Sequence, residues 1–215
     1  MAMFCTPRVR AVEGMFGIWG RESAPWGRVM EVEIPRVGIT LITGASGSGK
    51  TRLLRVIEEA LRAGGEGLGG RDGGLGAGVG ARGVMRLEGI PLPARAVVDC
   101  FAWPLEQTLA LLCRAGLAEA RVWLRSPREL SEGERFRYRL ARWMAQSRRR
   151  ILIADEFCNG LDRITARGVA WQLRRFVAGA CAAGRARAAI VATAHEDLAE
   201  DLRPAVHVRM EGLRD

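Results

Sequence analysis

The run Gly44-Ala45-Ser46-Gly47-Ser48-Gly49-Lys50-Thr51 places three glycines, a lysine and a threonine within eight residues. Glycine accepts backbone conformations that other residues resist, so such a run can curl until successive N–H groups face one anion. It fits the pattern G-x-x-x-x-G-K-[ST] in full, with an apolar stretch before it and helical spacing after it. The matching chemistry is the binding of a phosphate chain, with Lys50 against the outer phosphates and the Thr51 hydroxyl placed to hold Mg²⁺. Lys50 is the only lysine among 33 basic residues; the rest are arginine. A compact ammonium on a flexible stem fits inside a tight loop where a wide, planar guanidinium does not. A tight strand–helix turn without a ligand is the plain alternative.

Two further segments carry chemistry. In "ILIADEF" (151–157) the adjacent carboxylates Asp155 and Glu156 end an apolar run, and in open α/β sheets that edge is where ligands bind. Asp155 could there reach a metal held with phosphate, and Glu156 could accept a proton from an attacking water. Two solvated acids after a strand would look the same in isolation. In "ELSEGERFRYRLARWMA" (129–145), Ser131-x-x-Glu134 reads as a helix capping box, with Phe136, Leu140, Trp143 and Met144 forming one apolar face. A helix start with a serine hydroxyl and Gly133 is also a second anion site. One chain does not need two for one nucleotide.

These groups must be positioned by an alternating pattern. "GRVMEVEIP" (27–35) reads as an edge strand and "VGITLIT" (37–43) as a buried strand that ends in the glycine loop. Leu53, Leu54, Ile57, Ala60 and Leu61 recur at helical spacing from Thr51. Residues 63–83 contain 11 glycines in 21 positions and read as a mobile loop, because ordering such a stretch costs too much backbone entropy. "GVMRLEGIPLP" and "RAVVDCF" look like short strands, and 106–124 and 131–146 like helices. "RILIADEF" is a buried strand, 163–184 a helix ended by glycine, and "AAIVATAH" another buried strand. Near-continuous apolar strands alternating with helices predict a largely parallel sheet covered on both faces.

The totals bound the reading. At 215 residues the chain fits one domain, 1–215, and can bury a real core. "MAMFCTPRVR" lacks the apolar middle of a secretory signal and no apolar run is long enough to span a bilayer, so the cytoplasm is the expected location. The five scattered cysteines form no C-x-x-C pair and read as reduced thiols rather than a zinc site or disulfide frame. The net charge of +9 suits a polyanion such as nucleic acid. A GC-rich coding bias toward Arg, Gly and Ala would give the same excess.

Taken together, these segments resemble the ABC ATPase superfamily. "GASGSGKT" looks like its Walker A loop, "ILIADEF" its Walker B strand with the catalytic Glu156, and "LSEGE" its signature motif. "NGLD" (159–162) looks like the D-loop, bringing in Asp162, and "ATAHEDL" carries the switch histidine, His195. The five motifs stand in the family's order across nearly the whole chain. The resemblance implies an α/β, P-loop NTPase fold of ABC type: a mostly parallel sheet flanked by helices, a small antiparallel β subdomain, and a compact helical subdomain over 100–146 with the signature helix. It implies ATP and Mg²⁺ as cofactors and a head-to-tail homodimer in which each ATP lies between one chain's Walker A loop and the other's signature. Ser131 and Gly133 would then contact the γ-phosphate in trans, while Glu156 activates water and His195 touches the γ-phosphate. The family stacks adenine on an upstream aromatic, for which Phe16 is the best match and Trp19 the second; a core role fits either residue nearly as well.

The sequence also departs from the pattern. Asp99 in "VVDCFAWPLEQ" stands where the Q-loop glutamine, on the metal side of the site, should follow a strand; Gln107 lies further along. Only 31 residues (100–130) separate Asp99 from Ser131, which is compact by transporter standards. The signature ends in Glu134 rather than Gln, as in many chromosome-maintenance and DNA-repair ABC ATPases, although the long coiled-coil insertion of those proteins is absent. A looser likeness is to small soluble ABC-type ATPases of archaeal type, sometimes fused to an acetyltransferase domain. The expected function is MgATP-driven dimerisation and hydrolysis that changes a protein partner or a nucleic acid. A membrane transporter's ATP-binding subunit, docking through 99–130, is the rival. A nucleotide-gated scaffold with negligible turnover is the third reading, against which Glu156 argues.

Overall fold

The computed structural model describes residues 34–35, 37–63, 83–146, 151–185 and 187–210. Contacts within the chain separate Met1–Val32 from Glu33–Asp215, and every described residue lies in the second unit. Its elements run β1 (Gly38–Gly44), α1 (Lys50–Arg62), β2 (Val84–Arg86), a 3₁₀ turn (Val97–Cys100), α2 (Leu105–Arg114) and α3 (Ala120–Leu124). They continue with α4 (Glu132–Met144), β3 (Ile151–Ala154), α5 (Arg163–Ala182), β4 (Ala188–Thr193), α6 (Leu198–Leu202) and β5 (Val206–Met210).

A parallel sheet covered on both faces needs apolar residues at successive positions rather than at alternate ones. Strands β3 and β4 meet that demand, with every residue of each buried, and β1 is buried through its five central residues. The five strands form one sheet in the order β2-β3-β4-β1-β5, and each neighbouring pair is parallel. Ala154 pairs with Val191 and Thr43 with Thr193, so the carboxyl ends of β3, β4 and β1 meet at one edge. The phosphate loop, Asp155 and His195 all follow those ends directly. One apolar cluster joins Leu41, Leu152 and Val191 of the sheet to Leu173 of α5 and to Tyr138, Leu140 and Trp143 of α4.

Several expected elements differ. The stretch 106–124 forms two helices, because Gly116 takes a left-handed φ of 81° and the Leu117 N–H turns back to the Leu112 carbonyl at 2.9 Å, closing α2. "RAVVDCF" is not a strand: the Val97 N–H bonds the Arg125 carbonyl, and the segment winds into the 3₁₀ turn packed against α3. Only Val84–Arg86 of "GVMRLEGIPLP" is extended, since Gly89 and Ile90 donate back to Arg86 and Leu87 in a turn. The short helix α6 and edge strand β5 complete the sheet's far side. All described strand pairs are parallel; the antiparallel β subdomain and edge strand expected around 27–35, Phe16, Trp19 and most of the glycine stretch (64–82) lie outside the described residues.

Candidate functional site

The phosphate loop is built by close approach of backbone. At Gly44, φ is 153° and an added Cβ would come within 2.4 Å of the Met210 carbonyl and 2.8 Å of Ser48 Oγ. Only glycine lets the loop leave β1 against β5. Gly47 and Gly49 also have positive φ, 82° and 93°, and Gly49 stands as the N-cap of α1 without a side-chain cap. The first N–H groups of α1 are thus left facing the loop, where the helix dipole favours an anion. Lys50 Nζ folds into the loop and donates to the Gly44 carbonyl at 2.7 Å and the Ala45 carbonyl at 2.6 Å. Ser48 Oγ is buried with no partner among the described residues. A loop that admits no Cβ at Gly44, an orphan hydroxyl and a captive ammonium together fit a phosphate chain. Ala45, Ser46 and Thr51 lie exposed at its mouth.

At the neighbouring strand end, Asp155 Oδ1 accepts the Glu156 N–H at 3.0 Å, and the Asp155 N–H donates to Glu88 Oε1 at 3.0 Å. Arg86 of β2 lies among three acids. Its Nη1 is 2.9 Å from Glu58 Oε2, its Nε 3.1 Å from Glu88 Oε2 and its Nη2 3.6 Å from Asp155 Oδ2. One guanidinium therefore ties helix α1, the turn after β2 and the acid edge of β3 together. Glu156 itself has φ 46°, a conformation that non-glycine residues adopt at a cost and that recurs at functional sites. The Phe157 N–H donates to Ala192 O at 2.7 Å and anchors this turn to β4, and Asn159 Nδ2 donates to Glu156 Oε2 at 3.2 Å. Among the described residues no three of His, Cys, Asp and Glu gather as a metal cluster. Mg²⁺ bound beside phosphates takes one or two carboxylates and completes its shell with phosphate oxygens and water, so Asp155 and Thr51 suit it in kind.

No described hydrogen bond or ion pair joins Asp99 to this arrangement. Asp99 is exposed on the 3₁₀ turn that packs with α3, and the carboxylate that touches Asp155 belongs to Glu88. Glu88 and Arg86 are the residues that sequence reasoning missed. The signal was weak: "MRLEG" carries no motif, and only the pairing of β2 with β3 brings it to Asp155.

The capping box at Ser131 is present in full. Ser131 Oγ accepts the Glu134 N–H at 3.3 Å, and Glu134 Oε2 accepts the Ser131 N–H at 2.7 Å. That backbone hydrogen bond is the main reason the Glu134 carboxyl is held below its ordinary pKa. Gly133 packs closely on Leu161, whose Cδ2 would have to shift for an added Cβ at 2.6 Å. The start of α4 therefore rests on the 159–162 turn of its own chain. Asp162 caps α5 by accepting the Thr165 N–H at 3.0 Å, and the Thr165 hydroxyl together with that N–H lowers its pKa. The described hydrogen bonds of Ser131 and Gly133 are with Glu134, Arg135 and Arg137 of their own helix, and none is with the phosphate loop.

His195 lies just past β4, its N–H donating to Thr193 Oγ1 at 3.2 Å. The second histidine, His207 on β5, went unremarked in the sequence; its Nε2 is 2.9 Å from Oγ1 of Thr43, the buried residue under the loop's first glycine. Burial, reinforced by Arg209, lowers the His207 pKa from 6.5, with Glu196 opposing.

No protein-family model matches the chain, and no curated protein matches it in sequence. Solved structures do. The dimeric structure of MJ0796, a bacterial ABC transporter cassette, superposes with a TM-score of 0.54 at 18% identity, covering 85% of this chain and 86% of that one. The dimeric post-hydrolysis state of MJ0796 bound to ADP and Pi superposes with a TM-score of 0.58, at the same identity and coverage. The fold is that of a P-loop ATP-binding cassette: an α/β architecture with a mostly parallel sheet flanked by helices. No described helix is long and apolar enough to cross a membrane.

Proposed function

We propose that the protein is an ABC-type ATPase that binds MgATP, pairs head to tail with a second copy of itself around the nucleotide, and hydrolyses it. The observation that carries this reading is the coexistence of two helix starts on one fold, each of a type suited to an anion. One is the uncapped α1 with its cradled Lys50, and the other is the serine-tipped α4, whose described contacts do not include the first. The MJ0796 neighbours are dimeric cassettes, one of them bound to ADP and Pi, which supports the same assembly here.

In this reading the N–H groups at the start of α1 and the Lys50 ammonium bind the phosphates. Thr51 and Asp155 hold Mg²⁺, which supplies charge neutralisation at the phosphate oxygens when bound. Glu156, exposed at the end of β3, accepts the proton of the attacking water. His195 contacts the γ-phosphate, and Ser131 and Gly133 of the second copy close the site. Phe16 is the proposed adenine platform. The object moved or remodelled is a nucleic acid or a protein, and the excess of positive charge favours nucleic acid.

Phosphate release measured with wild type, Glu156→Gln and Lys50→Ala tests the activity. Wild type should turn over, and Glu156→Gln should lose about 10²-fold or more in turnover while still binding ATP. Lys50→Ala should bind ATP at least about tenfold more weakly. Turnover unchanged by Glu156→Gln would refute the assignment of the base.

A further inference from the structure

A concavity of about 540 Å³ opens between α2, the end of α4 and the last third of α5. Arg185, on its rim, and Arg187, buried in its wall at 6% exposure and donating to the Gln146 carbonyl, stand just before the first residue of β4, so it lies at the opposite edge of the parallel sheet from the phosphate loop. Four of the described residues lining it are arginines (Arg114, Arg175, Arg185 and Arg187), and none is acidic. Among the described residues no carboxylate pairs with Arg114, Arg175 or Arg185. The floor is apolar, with Leu111 and Met144 almost wholly buried, while Trp103 at the mouth is 40% exposed. Two of the guanidiniums lie on aromatic faces: Arg187 is 5.5 Å from the Phe176 ring and 5.4 Å from Trp143, and Arg175 is 4.7 Å from Trp171. Stacking of this kind holds a guanidinium in one plane with its N–H edges directed sideways, the geometry that suits a carboxylate fork.

We infer that this concavity docks an acidic, amphipathic segment of a protein partner, its apolar side chains on the Leu111–Met144 floor and its carboxylates against the arginine rim. The charge complement and the floor both select this occupant. A nucleic-acid backbone wants its cations strung along a track, whereas here they ring a hollow sized for a few side chains. The hollow touches both α2 and α4 of the 100–146 region and α5, which packs on the sheet. An occupant would therefore bear on the position of the helix that carries Ser131, and its docking does not depend on the nucleotide reading.

The test is fluorescence anisotropy at low salt with a labelled helical peptide of repeating Leu-Glu-Glu-Leu units, without nucleotide, beside a labelled oligothymidylate. The peptide should bind, quench the emission that Trp103→Phe removes, and lose affinity at least about tenfold with Arg114→Glu combined with Arg175→Glu. Arg175→Gln alone should weaken it less, and both variants should melt at the wild-type temperature. Absence of peptide binding, binding indifferent to these arginines, or tighter binding of oligothymidylate through the same arginines would each overturn the proposal.

Discussion

Lys50 and Gly44 show how much of the site rests on single side chains. The lysine needs a compact charge because its two loop carbonyl partners lie within 2.7 Å. Lys50→Arg keeps the charge but should still bind ATP at least about tenfold more weakly, by fluorescent-nucleotide titration, because the planar fork does not fit. Gly44→Ala places a methyl against the Met210 backbone at a φ that resists side chains. It should cost more than about 2 kcal/mol, a fall of about 4–8 °C in melting temperature, whereas Gly47→Ala meets no atom within 4 Å and carries only its backbone strain. His207 adds a pH signature. Its folded pKa is depressed, so the stability it contributes is present above about 6.5, its ordinary value, and is lost as pH falls through the lower folded value. Melting curves across pH 5 to 8 should fall more steeply on the acid side for wild type than for His207→Asn. Parallel profiles would exclude the histidine as the cause.

At the scale of elements, the legible parts were those whose local pattern and tertiary role agree. The apolar runs of β1, β3 and β4, the capping box at Ser131 and the glycine stop after α5 are local signals, and each element formed within a few residues of its expected place. The segment 83–101 was read less well because its structure is decided by distant partners. Arg86 bonds Glu58 and Asp155, and Val97 bonds Arg125, none of which a local window contains. Tyr138 was omitted from the apolar face of α4 for a related reason. It is fully buried against Phe101, with its pKa raised by burial and by the neighbouring Cys100, although its type suits a surface equally well. The consequence can be measured. Glu88→Gln should raise the Mg²⁺ concentration needed for half-maximal turnover by about tenfold, the usual cost of disturbing a group that orients a metal-side carboxylate. Asp99→Asn should leave it unchanged. The reverse outcome would return Asp99 to the metal side.

For the whole molecule, the sheet edge gathers the phosphate loop, the carboxylates and His195, while Ser131 is engaged in its own helix cap with Glu134. In the proposed function, a triphosphate held by such a chain is enclosed on one side only, and a second copy turned end for end would supply the missing side. Sedimentation of Glu156→Gln tests this most directly. With MgATP it should run at twice the chain mass of 23.5 kDa, and with ADP, or when Ser131→Arg is added, at the single-chain mass. A species that binds ATP tightly yet stays at the single-chain mass at every concentration would contradict the account.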